Sequence, residues 1–161
     1  MGRAGDSRPP AFPSKHQLKI NSPENQTAML KPKVLFICLG NSCRSIMAEA
    51  LARHRFGERW EAASAGISPL GFVAPETLLV LAEMGVSTAG LHSKGLNEID
   101  LLEYRLLINL SEHTLTRRLP PAYPGRIVHQ PVPDPYGGGL PEYRRSLDAI
   151  TQVIIRELLP E

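Results

Sequence analysis

The stretch Lys33-Val34-Leu35-Phe36-Ile37-Cys38-Leu39-Gly40-Asn41-Ser42-Cys43-Arg44-Ser45 decides how this chain folds. Val34 to Cys38 is an unbroken apolar run closed by Gly40, the pattern of a central parallel strand buried on both faces. Ser45 to about Phe56 then has helical spacing, with Met47, Ala50, Leu51 and His54 on one face and Gly57 after it. A tight loop therefore joins a strand to a helix. Gly40 and Asn41 are residue types that tolerate positive φ, which a loop curling its N–H groups inward requires. Such a ring, backed by a helix N-terminus, suits a tetrahedral oxyanion. Arg44 reaches back across it with a planar fork for two oxygens. Cys38 ends the strand with its sulfur aimed at the centre. The loop N–H groups, the helix dipole and Arg44 all favour its thiolate, a nucleophile for phosphoryl transfer. A Cys-x5-Arg spacing by itself fits a buried structural thiol at a βα turn equally well. Gly40, Asn41, Ser45 and the strand-loop-helix setting select the oxyanion site.

Outward from this stretch, strands and helices keep alternating. Glu61 to Ser64 reads as a short strand ending at Gly66. A helix starts near Ala74 with Pro75 in its first turn, carries Leu78, Leu81 and Ala82 inward, and stops at Gly85. Arg105 to Leu110 and Ile127 to Val132 are the remaining strands. The last helix opens with Pro141 and Glu142 and repeats Tyr143, Leu147, Ile150, Ile154 and Leu158 at helical spacing. Alternation of this kind means βα units, a parallel sheet and right-handed crossovers, with ligands bound beyond the carboxyl ends of the strands.

The composition bounds the function. With 161 residues, 42% hydrophobic and 21% charged, the chain suits one globular domain. Residues 1 to 31 hold five basic and two acidic side chains, so the net charge of +2 becomes +3 in this segment and −1 in the rest. No DNA-binding face is implied, and nucleic acid is excluded as a partner. Pro9, Pro10, Pro13 and Pro23 lie among polar residues without periodicity, so residues 1 to 31 read as a disordered extension and residues 32 to 161 as the catalytic domain. No apolar run approaches the ~20 residues of a membrane span, and two cysteines ask for no oxidising compartment. The expectation is a cytoplasmic enzyme without a membrane partner.

The loop, followed by Met47-Ala48-Glu49-Ala50, resembles the opening of the low-molecular-weight protein tyrosine phosphatases, and equally that of the thioredoxin-coupled arsenate reductases sharing their fold. Asp134-Pro135-Tyr136 with Gly137 and Gly138 resembles the second motif of that family. The resemblance implies a single α/β domain, flavodoxin-like, with a four-stranded parallel sheet flanked by helices on both faces. It also implies a phosphocysteine mechanism without metal or cofactor. It makes Cys38 the nucleophile, Arg44 the clamp and Asp134 the general acid and then base. Leu39, Gly40, Asn41, Ser42, Cys43 and Ser45 bind or support the phosphate, with Asn41 holding the strained loop and Ser45 bonded to the thiolate. Tyr136 borders the cleft. By itself Asp134 reads as the start of an Asp-Pro turn. For Cys43 two readings stand side by side: a reversible disulfide with Cys38, as the resemblance suggests, or a small side chain turned away from the ligand.

Departures from the pattern bear on the substrate. Ile67-Ser68-Pro69-Leu70-Gly71 stands where the phosphatases carry an aromatic rim residue, which is missing or displaced to Phe72. Ser64 to Gly85 and His92-Ser93-Lys94 are closer to the reductase branch; a hydrogen-bonded structural role is expected for His92. That branch relays electrons through two further cysteines after the third strand, where this chain has Ser111 and no Cys. The primary reading is hydrolysis of phosphotyrosine or a small aryl phosphate. The alternatives are an arsenate reductase using an external small thiol such as glutathione, and a catalytically silent phosphate-binding relative.

Overall fold

Strand β1 (Lys33–Cys38) stands in the middle of a four-stranded sheet because every residue after Lys33 is apolar and has a packed layer on each side. The structure is a computed structural model that describes residues 30–160; all but the last two residues of the expected N-terminal extension lie outside the described residues. Strands β2 (Glu61–Gly66) and β3 (Leu106–Asn109) flank β1, and β4 (Arg126–His129) extends the sheet beyond β3. All pairings are parallel, in the order β2-β1-β3-β4. The register sets Cys38 opposite Gly66 and Ile37 opposite Asn109, so the polar ends of three strands meet at one edge.

The alternation of β1 sends Val34 and Phe36 to one face and Leu35 and Ile37 to the other. Helices α1 (Arg44–Phe56), α2 (Pro75–Glu83) and α3 (Leu140–Leu158) cover the first face. On the second lie two 3₁₀ helices, Leu96–Glu98 and Leu101–Glu103, with Leu115, Leu119 and Tyr123 of the β3–β4 connection. Helical segments thus flank both faces, α on one and 3₁₀ on the other.

Three local expectations change. Residues 44 to 52 of α1 are buried, but His54 is exposed with Arg53 and Arg55. That basic last turn faces water, where its cations complement the helix C-terminus. In α2 the inward residues are Thr77, Val80 and Leu81, whereas Leu78 and Ala82 face solvent. The α2 sequence is apolar all round and so marks no unique face; the Thr77 hydroxyl chooses it by donating to the Ser42 carbonyl at 2.9 Å. Strand β4 is shorter than Ile127 to Val132 because Pro131 has no N–H for the ladder, although Val132 resumes it by donating to the Leu110 carbonyl at 3.0 Å.

Helix α3 follows its pattern. Tyr143, Leu147, Ile150, Ile154 and Leu158 are all buried, and the Gly139 N–H donates to Glu142 Oε2 at 2.9 Å to start the helix. No helix among the described residues is long and apolar enough to cross a membrane. Ile150 is fully buried and Ile127 on β4 is 43% exposed. Ile150→Ala is therefore expected to lose about 2–5 kcal/mol in urea denaturation, and Ile127→Ala less than about 1 kcal/mol. Equal losses would contradict this placement of the core.

Candidate active site

Residues 39 to 43 turn around the end of β1 and deliver Arg44 as the first residue of α1. The carbonyls of this ring point outward. Those of Cys38, Leu39, Gly40 and Ser42 accept the N–H groups of Ile67 (3.0 Å), Ser68 (2.8 Å), Leu70 (2.9 Å) and Ala74 (3.2 Å). Satisfying the carbonyls on the outside leaves the amide edge for the inside, as an anion nest requires. Gly66, opposite Cys38, must be glycine: a Cβ there would lie 2.9 Å from Asn41 N and 2.9 Å from the Leu39 carbonyl oxygen.

Asn41 takes a positive φ of 46° and is fully buried. Its Oδ1 accepts the Lys94 backbone N–H at 2.8 Å, which fixes the orientation of the side-chain amide. Both Nδ2 protons are then spent on serines, one on Ser45 Oγ at 2.7 Å and the other on Ser64 Oγ at 2.9 Å. Ser64 in turn donates to Glu49 Oε1 at 3.1 Å. Ser45 Oγ accepts from Asn41 and keeps its own proton to give, with Cys38 Sγ 2.9 Å away. Ser45 is thus placed to donate to the Cys38 sulfur. Glu49, buried at the end of the chain of bonds, is held by Arg53 at 3.0 Å and Lys94 at 3.7 Å.

Arg44 is 5% exposed and divides its fork. One terminal nitrogen donates to the carbonyls of Leu110 (3.2 Å) and Val132 (3.1 Å), and the other lies 3.3 Å from Asp134 Oδ2. Arg44 Nε and Ser42 Oγ are buried without a protein partner among the described residues. Buried donors of this kind are costly unless something accepts from them, and a tetrahedral oxyanion supplies acceptors. Asp134 is held by its own turn, Oδ1 accepting the Tyr136 N–H at 3.1 Å.

These groups converge on one cavity of about 220 Å³. Cys38, Gly40, Ser42 and Arg44 form its inner wall, and Leu70, Asp134 and Tyr136 surround its mouth. Leu39 and Cys43 line it as well, whereas Asn41 and Ser45 act from behind. Phe72 is not part of the wall. It leans on Tyr136 with ring centroids 6.5 Å apart, so it belongs to the outer rim, and Leu70 occupies the position expected of it. Cys43 and Cys38 are free thiols. Cys43 Sγ lies 3.4 Å from the Tyr143 hydroxyl; burial pushes this thiol up, against the opposing bond from Tyr143.

Sequence reasoning missed Glu49, Ser64, Ser93, Lys94 and Leu70. The His92-Ser93-Lys94 triplet was the available signal, but its working members are the last two. Ser93 Oγ donates to the Gly40 carbonyl at 3.2 Å, while the ring of exposed His92 meets the Gly90 carbonyl of its own turn, at 3.1 Å. At pH 7, iodoacetamide is expected to modify Cys38 and leave Cys43 untouched, read by peptide mass spectrometry. Asn41→Ala is expected to slow that alkylation about tenfold or more by releasing Ser45 from its donor role. Preferential labelling of Cys43 would contradict the assignment.

Comparison with known proteins agrees with this geometry. Residues 33–159 match the family model of low molecular weight phosphotyrosine protein phosphatases. An arsenate reductase of Brevibacillus brevis is 34% identical over 122 residues, covering 74% of this chain and 89% of that protein. The structure of an arsenate reductase from Archaeoglobus fulgidus has a TM-score of 0.68 at 28% identity, covering 78% of this chain and 98% of its own. A low molecular weight protein tyrosine phosphatase from T. tengcongensis has a TM-score of 0.67 at 28% identity, covering 77% and 95%. With Cys38, Arg44 and Asp134 around one cavity and a family match over nearly all the described residues, the chain belongs to the low molecular weight phosphotyrosine protein phosphatase family.

Proposed function

We propose that this protein is a phosphatase acting on phosphotyrosine or a small aryl phosphate monoester. The observation that carries the reading is Asp134 at the cavity mouth, 3.3 Å from the guanidinium that faces Cys38 across the cavity. In the first step the Cys38 thiolate attacks phosphorus and the bond to the ester oxygen breaks. Asp134 gives that oxygen its proton, so the product leaves as a neutral alcohol or phenol. In the second step Asp134 takes a proton from water, whose oxygen attacks phosphorus. The phosphorus–sulfur bond breaks, and Ser45 stabilises the departing thiolate. Arg44 Nε and the ring N–H groups hold the equatorial oxygens in both steps. Leu70 and Tyr136, with Phe72 behind, give the mouth an apolar rim for an aryl group.

The second reading, arsenate reduction, draws on the names of the relatives that are 33–34% identical. Arsenate is tetrahedral and fits the same ring. Only Cys38 and Cys43 exist in the chain, and Ser111 after β3 is buried with its hydroxyl on Asn109 Oδ1 at 2.7 Å. A reductase of this build takes its electrons from an external small thiol. A silent phosphate-binding relative would have no use for an acid at the mouth.

The two enzymes separate at Asp134. Cleavage of phosphotyrosine expels a poor leaving group, and a positioned acid is worth about 10²–10⁴-fold there. Asp134→Asn is expected to slow the single-turnover release of tyrosine from phosphotyrosine by about 10²-fold or more, with a much smaller effect on the single-turnover release of para-nitrophenol. Arsenate reduction by the wild type with thioredoxin alone is expected to be poor. Efficient thioredoxin-coupled reduction, with phosphatase activity indifferent to Asp134, would overturn the reading.

A further inference from the structure

The opposite end of the strands from Cys38 carries a second concavity that the reaction does not use, about 860 Å³ in volume. Four arginines from separate parts of the chain line it. Arg59 follows α1, Arg105 precedes β3, Arg126 opens β4 and Arg156 lies in the last turn of α3. Beneath them lie Trp60, Leu106 and Leu158. Among the described residues Glu157 is the one acid in this lining. It meets Arg126 at 2.9 Å and Arg156 at 3.1 Å, and its side chain is 9% exposed.

Fold stability accounts for part of this arrangement. Arg156 complements the C-terminal dipole of α3, and with Arg126 it compensates the buried Glu157. Arg59 and Arg105 have no such duty: among the described residues neither has an ion-pair partner, and both are exposed. The groove therefore concentrates a surplus of three positive charges in a domain whose own net charge, after residue 31, is −1. Its volume lies in the range of small-molecule sites. Planar guanidinium forks suit phosphoryl oxygens, and converging from several directions they suit linked phosphates.

We propose that this groove is a binding site for a small polyphosphate anion. The anion lies among Arg59, Arg105 and the outer nitrogens of Arg126 and Arg156, with Trp60 beneath it. Inorganic polyphosphates and nucleoside polyphosphates share this chemistry. The second class adds a flat ring for the apolar floor.

Trp60 is the one tryptophan of the chain, so its fluorescence reads this groove and not the catalytic cavity. The full chain, alkylated at Cys38 to block the cavity, is titrated with tripolyphosphate and with ATP. A saturable change in Trp60 emission is expected with both. Tighter binding of ATP identifies the nucleotide as the natural form, and equal binding the phosphate chain alone. Arg59→Gln with Arg105→Gln, both on exposed side chains, is expected to weaken binding about tenfold or more. In unalkylated protein the same double variant should leave phosphatase turnover unchanged. No saturable change at millimolar ligand, unaltered affinity in the double variant, or equal binding of hexaglutamate would overturn the proposal.

Discussion

The side-chain amide of Asn41 is the constraint on which the rest of the site depends. Its backbone occupies the left-handed region, so the loop reverses direction there and turns its carbonyls outward. Its oxygen is committed to the Lys94 N–H, which leaves only N–H donors for the two serines. That commitment orders the bonds behind it: Ser64 gives its proton to Glu49, and Ser45, accepting from Asn41, has its proton to offer Cys38 Sγ at 2.9 Å. Cys38 therefore has a hydroxyl in place beside it before any ligand arrives, which in the proposed function is preorganisation for catalysis.

Arg44 ties the same ring to the far side of the sheet. Its contacts with the carbonyls of Leu110 and Val132 join the segment after β3 to the segment after β4, and its other nitrogen reaches Asp134. Asp134 is thus held at the cavity by a residue that itself lines it. One guanidinium staples both segments and Asp134 with its terminal nitrogens and keeps a buried Nε without a protein partner among the described residues. Lysine would supply the charge but not two fixed directions of donation. Around this polar edge the fold is conventional: apolar side chains on both faces of β1 and a wide buried stripe on α3 carry the stability. Polar residues are concentrated where the strands end.

The local half of this arrangement was legible in the sequence. An apolar run ending in Cys38, two φ-tolerant residues and an arginine at the helix start are neighbours along the chain, so their chemistry reads off directly. Helix α3 was legible for a related reason, since only one of its faces is apolar. The supporting half was not. Ser64, Ser93 and Lys94 lie on other elements, 23 to 53 residues from Asn41 or Gly40 in sequence, and no local pattern marks a serine as the acceptor of a distant amide. Glu49 sits within the first helix, but its burial depends on Ser64, Lys94 and Arg53 closing over it. Helix α2 misled because Leu78 to Ala82 is an unbroken apolar run that covers every side, so its inward face was settled by Thr77 and the Ser42 carbonyl. The basic groove was invisible for a similar reason. Its arginines are scattered from residue 59 to residue 156, and net charge averages them away.

The central claim is that Cys38 forms a covalent bond to phosphorus and that the groups around it exist to make and break that bond. Rapid acid quench of the Asp134→Ala variant during turnover of para-nitrophenyl phosphate, followed by peptide mass spectrometry, tests it most directly. Loss of the water-activating base should let the intermediate accumulate, and the account predicts one phosphoryl group on the peptide that contains Cys38. A phosphoryl group on any other residue, or product release with no labelled Cys38 at any quench time, would contradict it.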